Sequence, residues 1–138
     1  MGNGREDPCD VDAVRRMFGG PLGPELWERL AAENWTDDVV YREDPMWPGA
    51  QTFSGREAVV ARFREYRDLM GDPATELVEL AAGERAVLAI FDFTAAGGSS
   101  GAPFRQRWAW VIRTQDGRMR EIHAHLDLDE ARRKAGVG

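Results

Sequence analysis

The stretch "FRQRWAWVIRTQDGRMREIHAHLD", residues 104–127, decides the fold because it contains two strands and the turn that joins them. Apolar and polar residues alternate on both sides of "QDG", a pattern typical of an antiparallel hairpin. As a three-residue loop closed by a left-handed glycine, "QDG" pairs Thr114 with Arg118 and Trp110 with Ile122. A two-residue loop would mix tryptophans and histidines on one face, so we predict the three-residue register.

This register separates the hairpin into an apolar face and a charged face. The apolar face carries Trp108, Trp110, Ile112, Ile122, Ala124 and Leu126. The charged face carries Arg105, Arg107, Arg113, Glu121, His123 and His125. The tryptophans either fill a core or, because alanine neighbours leave room beside them, line a ligand cavity.

The segments before the hairpin complete the pattern of elements. "FSGREAVVARFREYRDLMG", residues 53–71, predicts a long helix, and "DVDAVRRMF" and "PELWERLAAENW" predict two shorter helices, or one broken helix, before a strand at Val39. "TELVELAA" and "RAVLAIFDFTA" predict two further strands. The predicted fold class is α+β, with a curved antiparallel sheet covered on one face by the N-terminal helices and the long helix. Residues 10–138 form a single predicted domain, and residues 1–9 form a flexible tail.

Composition narrows the classes of function. The 138 residues are 43% hydrophobic and 30% charged, which is typical of one globular domain. A net charge of −6, with arginines dispersed among acids, argues against nucleic-acid and anionic-membrane partners. The single cysteine excludes a disulfide framework. The polar N-terminus resembles no signal peptide and no apolar run is long enough to span a membrane, so a cytoplasmic location is expected.

Three stretches carry a resemblance to a known superfamily. "EDP" ends the first strand, "FSGREAVVARF" opens the long helix, and "DGRMREIHAHLDLDEARRKAG" closes the chain. With the order of elements, they resemble the NTF2-like fold, and within it the SnoaL-like branch, which includes polyketide cyclases, alongside the ketosteroid isomerases and limonene epoxide hydrolases. The resemblance implies a cone-shaped α+β domain with an internal pocket. It also implies a homodimer.

The resemblance further implies roles for single residues. Asp44 falls on the general base of the ketosteroid isomerases, the aspartate of their "EDP" motif. The oxyanion donors of that family fall near Met17 or Phe18 and near Trp110, and these residues cannot supply the hydroxyl groups that the reaction uses. The strand aspartate of the epoxide hydrolases falls on Ala124. The chain therefore resembles a family member that keeps the cavity scaffold and has altered chemical groups.

Asp44 is the leading candidate for chemistry. Beside Trp47, and facing Trp108 and Trp110, its carboxylate would lose water and its pKa would rise toward the range that suits a general base. The alternative is a carboxylate at the end of a strand that lies in water or accepts hydrogen bonds in the Pro45–Gly49 turn. Arg42, two residues earlier on the same strand face, could pair with Asp44 and would then lower its pKa.

Other polar residues receive structural or supporting roles. Glu43 points away from Asp44 by strand alternation and is predicted to be solvated. Asp92 lies inside the most apolar strand and requires a partner, which the neighbouring arginines can supply. His123 and His125 could bind a metal together, but no third ligand stands at a suitable spacing, so a solvated or subunit-interface position is predicted and no metal is expected. The predicted wall of the pocket comprises Arg42, Trp47, Phe63, Tyr66, Trp108, Trp110, Ile122 and Ala124.

The predicted function is a cofactor-independent isomerase, cyclase or lyase with Asp44 as the acid/base group. The substrate would be a small hydrophobic molecule, polyketide-like or terpenoid-like, enclosed by the aromatic wall. The alternative is a non-catalytic small-molecule-binding or accessory protein of the same fold. The arginine- and histidine-bearing face is either the contact surface of the expected homodimer or a solvated surface of a monomer.

Overall fold

The computed structural model of the protein describes residues 7–18, 20–21, 24–71, 73–95, 97 and 103–137. Within them, helices α1 to α4 span Val11–Arg15, Pro24–Asn34, Arg56–Met70 and Leu128–Ala135. The strands are β1 Gly20–Pro21, β2 Trp35–Arg42, β3 Thr52–Ser54, β4 Pro73–Ala82, β5 Val87–Ala95, β6 Phe104–Gln115 and β7 Arg118–His125. None of the described helices is both long and apolar enough to cross a membrane.

The strands form one curved, unclosed sheet in the order β1-β4-β5-β6-β7-β2-β3. The predicted α+β fold class is confirmed. One pair departs from the predicted antiparallel arrangement, because β2 lies parallel to β7. These two strands are separated by most of the chain, so no hairpin forces them to run in opposite directions.

The β6–β7 turn is shorter than predicted. Gln115 pairs with Arg118, which leaves a two-residue turn at Asp116 and Gly117. Both turn residues have positive φ, 54° for Asp116 and 75° for Gly117, as a type I′ hairpin turn requires. The predicted three-residue loop, with Thr114 opposite Arg118, is therefore wrong.

A β-bulge restores the predicted separation of faces. Thr114 pairs with Met119, whereas the preceding Arg113 pairs with Glu121. Arg120 therefore has no residue opposite it on β6. Beyond the bulge, Ile112 pairs with Ile122 and Trp110 with Ala124. The apolar residues therefore share one face as predicted, although each pair lies two residues from the predicted register.

Helix α3 and the main core lie on the concave face of the sheet. In α3, Val59, Phe63 and Tyr66 recur at helical spacing, and the helix ends at Gly71, where φ is 92°. The largest fully buried side chains of the main core are Trp35, Ile112, Met119 and Ile122 with Val14, Val39, Val59 and Val87. The concave face is thus the covered face that the sequence predicted.

Helix α4 covers part of the opposite face. Ala131 and Ala135 pack there against Leu88, Ile90 and Ala109, which alternate with the concave-face residues. The small alanine side chains allow α4 to approach the sheet closely. The sheet therefore has a second, smaller apolar core behind the main one.

The chain segment before α1 is attached to the end of β6. The hydroxyl of Thr114 donates to the carbonyl oxygen of Asp7 at 2.5 Å. The backbone N–H of Thr114 donates to the carbonyl oxygen of Pro8 at 3.0 Å. Cys9 packs against the main core. Residues 7–9 are therefore bound to the fold, whereas the predicted flexible tail extended to residue 9; residues 1–6 lie outside the described residues.

Candidate functional site

An aromatic cavity with two adjoining lobes lies between the concave face of the sheet and α3. The first lobe encloses about 710 Å³ of unoccupied space and the second about 390 Å³, in each case including solvent at the opening. The two lobes share five of their lining residues, Phe63, Tyr66, Phe91, Phe93 and Trp110.

Strand alternation places the aromatic rings on this face. Phe91 pairs with Trp108 across β5 and β6, and Phe93 and Trp110 lie two residues further along their strands on the same face. The ring of Phe91 meets that of Trp110 edge to face, with centroids 5.1 Å apart. Such geometry adds about 0.5–1.5 kcal/mol per pair beyond area burial, so contacts between the rings themselves stabilise the wall.

The strand-end turn closes the second lobe. The ring of Trp47 meets that of Trp108 at 5.1 Å and that of Phe104 at 5.9 Å, both edge to face. Trp47, Phe104 and Trp108 line the second lobe only. The turn that follows β2 thus supplies an aromatic side chain to the wall, as the sequence suggested.

A buried polar cluster, formed by Glu43, Arg62 and Tyr66, lies behind the aromatic wall. Arg62 donates two hydrogen bonds to the Glu43 carboxylate, from Nε at 2.9 Å and from Nη2 at 2.8 Å. The hydroxyl of Tyr66 donates to the same carboxylate. Gln51 adds its backbone N–H at 3.1 Å. We call this group the Glu43 cluster; through Tyr66 it reaches both lobes of the cavity.

The buried position of Glu43 contradicts the predicted solvated one. Its side chain is only 1% exposed. Val39, Tyr41 and Glu43 alternate along β2 and its end, and the first two are buried on the concave face. The sequence of β2 does not single out this face, because Val40 on the other face is as apolar as Val39.

The environment of Tyr66 keeps its hydroxyl protonated. Its pKa is raised well above the ordinary value for tyrosine, mainly by burial and secondly by the hydrogen bond to the Glu43 carboxylate. The hydroxyl hydrogen is directed to Glu43. Its oxygen therefore retains lone pairs that can accept a hydrogen bond from a ligand.

Asp44 lies on the opposite face from the Glu43 cluster. Its carboxylate accepts the backbone N–H of Met46 at 2.9 Å and that of Leu126 at 2.7 Å. Burial alone would raise the pKa of Asp44, but these two hydrogen bonds, assisted by His125 and His123, lower it. The expected raised pKa is therefore wrong. Asp44 fastens the end of β2 to the end of β7, and it lines neither lobe.

Three residues of the predicted wall lie elsewhere. Arg42 is on the outer face, where its guanidinium is 3.8 Å from the Glu121 carboxylate, so the predicted pairing with Asp44 is not formed. Ile122 and Ala124 are buried in the main core and line neither lobe. Their side chains support the wall from behind and offer no surface to a ligand.

The two histidines also lie outside the cavity, as predicted. His125 is not solvated, since its side chain is 2% exposed and its Nδ1 is 3.4 Å from Glu130 of α4. The pKa of His123 is lowered to about 4, mainly by burial and secondly by the adjacent His125 ring. Among the described residues, no group of three or more His, Cys, Asp or Glu side chains is placed to hold a metal ion.

The prediction that Asp92 requires arginine partners is confirmed. Arg107 donates from Nε and Nη2 to its two carboxylate oxygens at 2.8 and 3.0 Å, and Arg105 donates at 3.2 Å. These hydrogen bonds hold the Asp92 carboxylate on the outer face of the sheet.

Sequence reasoning missed several residues of the cavity. They are Met17, Phe18, Trp35, Tyr41, Arg64, Arg67, Met70, Pro73, Thr75, Phe91, Phe93 and Phe104. The alternation of Phe91 and Phe93 around Asp92 was a usable signal for two of them. The others come from separate elements that only the tertiary structure brings together.

The comparisons with known proteins agree with this architecture. The family model described as "SnoaL-like domain" matches residues 14–122. No curated protein is similar enough in sequence to match the chain.

Several solved structures share the fold. A candidate SnoaL-like polyketide cyclase from Jannaschia sp. CCS1 is 17% identical, with a TM-score of 0.70 over 93% of this chain and 91% of that one. A Xanthomonas campestris protein of unknown function with a cystatin-like fold is 15% identical, with a TM-score of 0.70 over 91% and 97%. A Catenulispora acidiphila protein with a ketosteroid isomerase-like fold, in complex with trimethylamine, is 13% identical, with a TM-score of 0.62 over 94% of each chain. At these identities the likeness shows the fold, and the resemblance to NTF2-like proteins is confirmed.

Proposed function

The chain belongs to the SnoaL-like domain family, and from this premise we propose that it binds one small, largely apolar molecule in the aromatic cavity. The observation that carries the proposal is the wall of five residues shared by two adjoining lobes. An aromatic wall gains free energy when it is covered by an apolar ligand, at roughly 25 cal/mol for each Å² removed from water. The hydroxyl of Tyr66 supplies a polar group that can orient the ligand.

A second candidate function is proton transfer on the bound molecule, as in an isomerase, cyclase or lyase that needs no cofactor. The specific observation in its favour is the hydrogen bond from Tyr66, which lines both lobes, to the buried Glu43 carboxylate. The Tyr66 oxygen would take a proton from a carbon of the substrate while its own proton passes to Glu43. The electron pair of the broken C–H bond would remain on the substrate as an enolate, and return of the proton to another atom would complete the reaction.

The role of Asp44 as the base stays a prediction. Its two backbone hydrogen bonds and lowered pKa make it a weaker base than an ordinary aspartate. A molecule in either lobe would lie on the other side of the sheet from it. The position of Tyr66 in both lobes, and not the basicity of either carboxylate, therefore favours the Glu43 cluster as the source of any acid/base chemistry.

Binding can be tested with naphthalene, a neutral apolar probe whose titration is followed by the quenching of tryptophan fluorescence. We expect saturable binding at one site, because Trp108 and Trp110 line the cavity. Phe93→Gln should weaken it strongly by placing an amide in the shared wall. Val78→Gln is the matched control, since Val78 is 48% exposed on β4. Equal affinity in the two variants would show that the cavity is not the binding site.

Proton transfer can be tested without knowledge of the natural substrate. An enolisable bicyclic ketone, a tetralone, is incubated with the protein in D₂O, and deuterium incorporation is followed by NMR. We expect exchange faster than in buffer, lost in Tyr66→Phe and Glu43→Gln but retained in Asp44→Asn. Loss in Asp44→Asn with retention in Tyr66→Phe would assign the chemistry to Asp44 instead. Exchange no faster than in buffer, while naphthalene binds, would favour the non-catalytic binding protein.

A further inference from the structure

Two polar residues that line the first lobe have side chains without a hydrogen-bond partner among the described residues. They are Arg67, on α3, and Thr75, on β4. The hydroxyl oxygen of Thr75 is buried and makes no hydrogen bond within the part of the chain that the structure describes. Buried polar groups of native proteins are nearly always paired, so an unpaired one in a cavity wall is a candidate contact for a ligand or a water molecule.

Other charges near the cavity are compensated. Arg64, which also lines the first lobe, is bound to Glu28 through two hydrogen bonds. Glu43 is compensated by Arg62 in the same way. Arg67 forms no ion pair of its own in the described residues and acts on the Glu28 carboxylate only at longer range. Among the described residues that line the first lobe, Arg67 is therefore a positive charge without a paired carboxylate.

This unpaired charge selects among possible ligands. Aromatic cavities can attract cations through their ring faces. Here a cation would be repelled by Arg67, which no described carboxylate pairs. A single negative charge satisfies both groups, whereas a doubly charged phosphate would leave one charge uncompensated in an apolar lobe.

We propose that the natural ligand is a monoanionic amphipathic molecule, an apolar body bearing one carboxylate. The apolar body lies against the aromatic wall, and the carboxylate accepts hydrogen bonds from Arg67 and Thr75 in the first lobe. The planar guanidinium matches the two oxygens of a carboxylate better than a single point charge does. This inference rests on the proposed binding function and adds the chemical class of the ligand.

The test compares three naphthalene probes of nearly equal size: naphthalenecarboxylate, naphthalenecarboxamide and naphthylmethylammonium. For the wild-type protein at low salt we expect the carboxylate to bind about tenfold or more tightly than the amide, which corresponds to one charge-assisted hydrogen bond in a partly water-excluded site. The ammonium probe should bind most weakly. Raising the ionic strength should reduce the advantage of the carboxylate and leave the amide unchanged.

Variants separate the charge from the cavity. Arg67→Met should remove the preference for the carboxylate while naphthalene and the amide still bind, and Thr75→Val should reduce it by a smaller factor. Arg118→Met, at an exposed arginine of the β6–β7 turn, is the matched control and should change nothing. Equal binding of carboxylate and amide to the wild type, or a preference that persists in Arg67→Met, would overturn the inference while leaving the cavity function standing. Failure of naphthalene itself to bind would overturn both.

Discussion

Replacing Arg62 by methionine should destabilise the protein more than any other exchange of an arginine on α3. The variant keeps most of the aliphatic volume of the side chain and removes the guanidinium that compensates Glu43. Two hydrogen bonds to the carboxylate, at 2.9 and 2.8 Å, and one to the carbonyl oxygen of Gly49, at 3.1 Å, disappear with it. The Glu43 carboxylate would then be a buried charge without its counterion.

The size of the effect follows from the burial of the pair. The side chain of Glu43 is 1% exposed and that of Arg62 is 14% exposed. Removing one partner of such a pair costs about 3–5 kcal/mol. Since Tyr66 and the backbone of Gln51 still donate to the carboxylate, we expect the lower end of that range. A loss of about 3 kcal/mol is a large part of the roughly 5–15 kcal/mol that stabilises a typical domain.

The assay is urea unfolding followed by tryptophan fluorescence, with the free energy of unfolding extrapolated to water. Arg64→Met is the matched control, because Arg64 is on the same helix as Arg62 and the side chains of its pair with Glu28 of α2 are 49% and 36% exposed. Exposed pairs contribute about 0–1 kcal/mol. The double variant with Glu43→Gln should recover part of the loss, since it removes the uncompensated charge. A loss for Arg62→Met no larger than for Arg64→Met would refute the reasoning and show that the Glu43 carboxylate is hydrated.

Four further outcomes are expected. Asp44→Ala should lower the free energy of unfolding by about 1–3 kcal/mol at neutral pH, because two hydrogen bonds to a charged group are lost. Since the pKa of Asp44 is lowered in the fold, the wild type should lose this advantage on acidification. Urea unfolding at a series of pH values should show the stabilities of wild type and variant converging at acid pH. His123 should titrate near pH 4 when followed by NMR. Because this pKa lies below the ordinary value of 6.5, the folded state should lose stability as the pH falls from 6.5 to 4. His123→Gln should reduce that loss. Gly83→Ala should destabilise the protein by about 1–3 kcal/mol in a thermal or urea melt, since a Cβ there would lie 2.1 Å from the carbonyl oxygen of Ala135; a melt unchanged from wild type would mean that α4 docks differently. The homodimer stays a prediction, and sedimentation showing a monomer at every concentration would contradict it.

Local patterns were sufficient to predict the architecture of the domain. The two-residue period of β6 and β7 separates apolar from charged side chains, and the helical period of α3 places Phe63 and Tyr66 on one side. Both periods are properties of neighbouring residues in the chain, so they are legible without a structure. The separation survived even a wrong loop length, because the bulge at Arg120 corrects the parity of β7.

The two acids at the end of β2 were not assigned correctly by the same reasoning. Alternation establishes that Glu43 and Asp44 point in opposite directions, but it does not establish which direction is inward. That depends on the parallel pairing of β2 with β7, where Tyr41 lies beside Ile122 on the concave face. Pairing of strands so distant in sequence depends on the packing of the whole sheet, to which no local pattern gives access.

The sequence by itself thus determined the class of fold, the apolar face of the hairpin and the aromatic character of the site, since these depend on side-chain periodicity within single elements. Only the tertiary structure decided that Glu43 is buried with Arg62 and that Asp44 is bound to backbone N–H groups on the other face. It also brought Arg67 and Thr75 to one lobe from different elements. The physical reason is the same throughout: charge compensation and cavity shape are made by contacts between elements, and such contacts have no signature in the order of residues along one element.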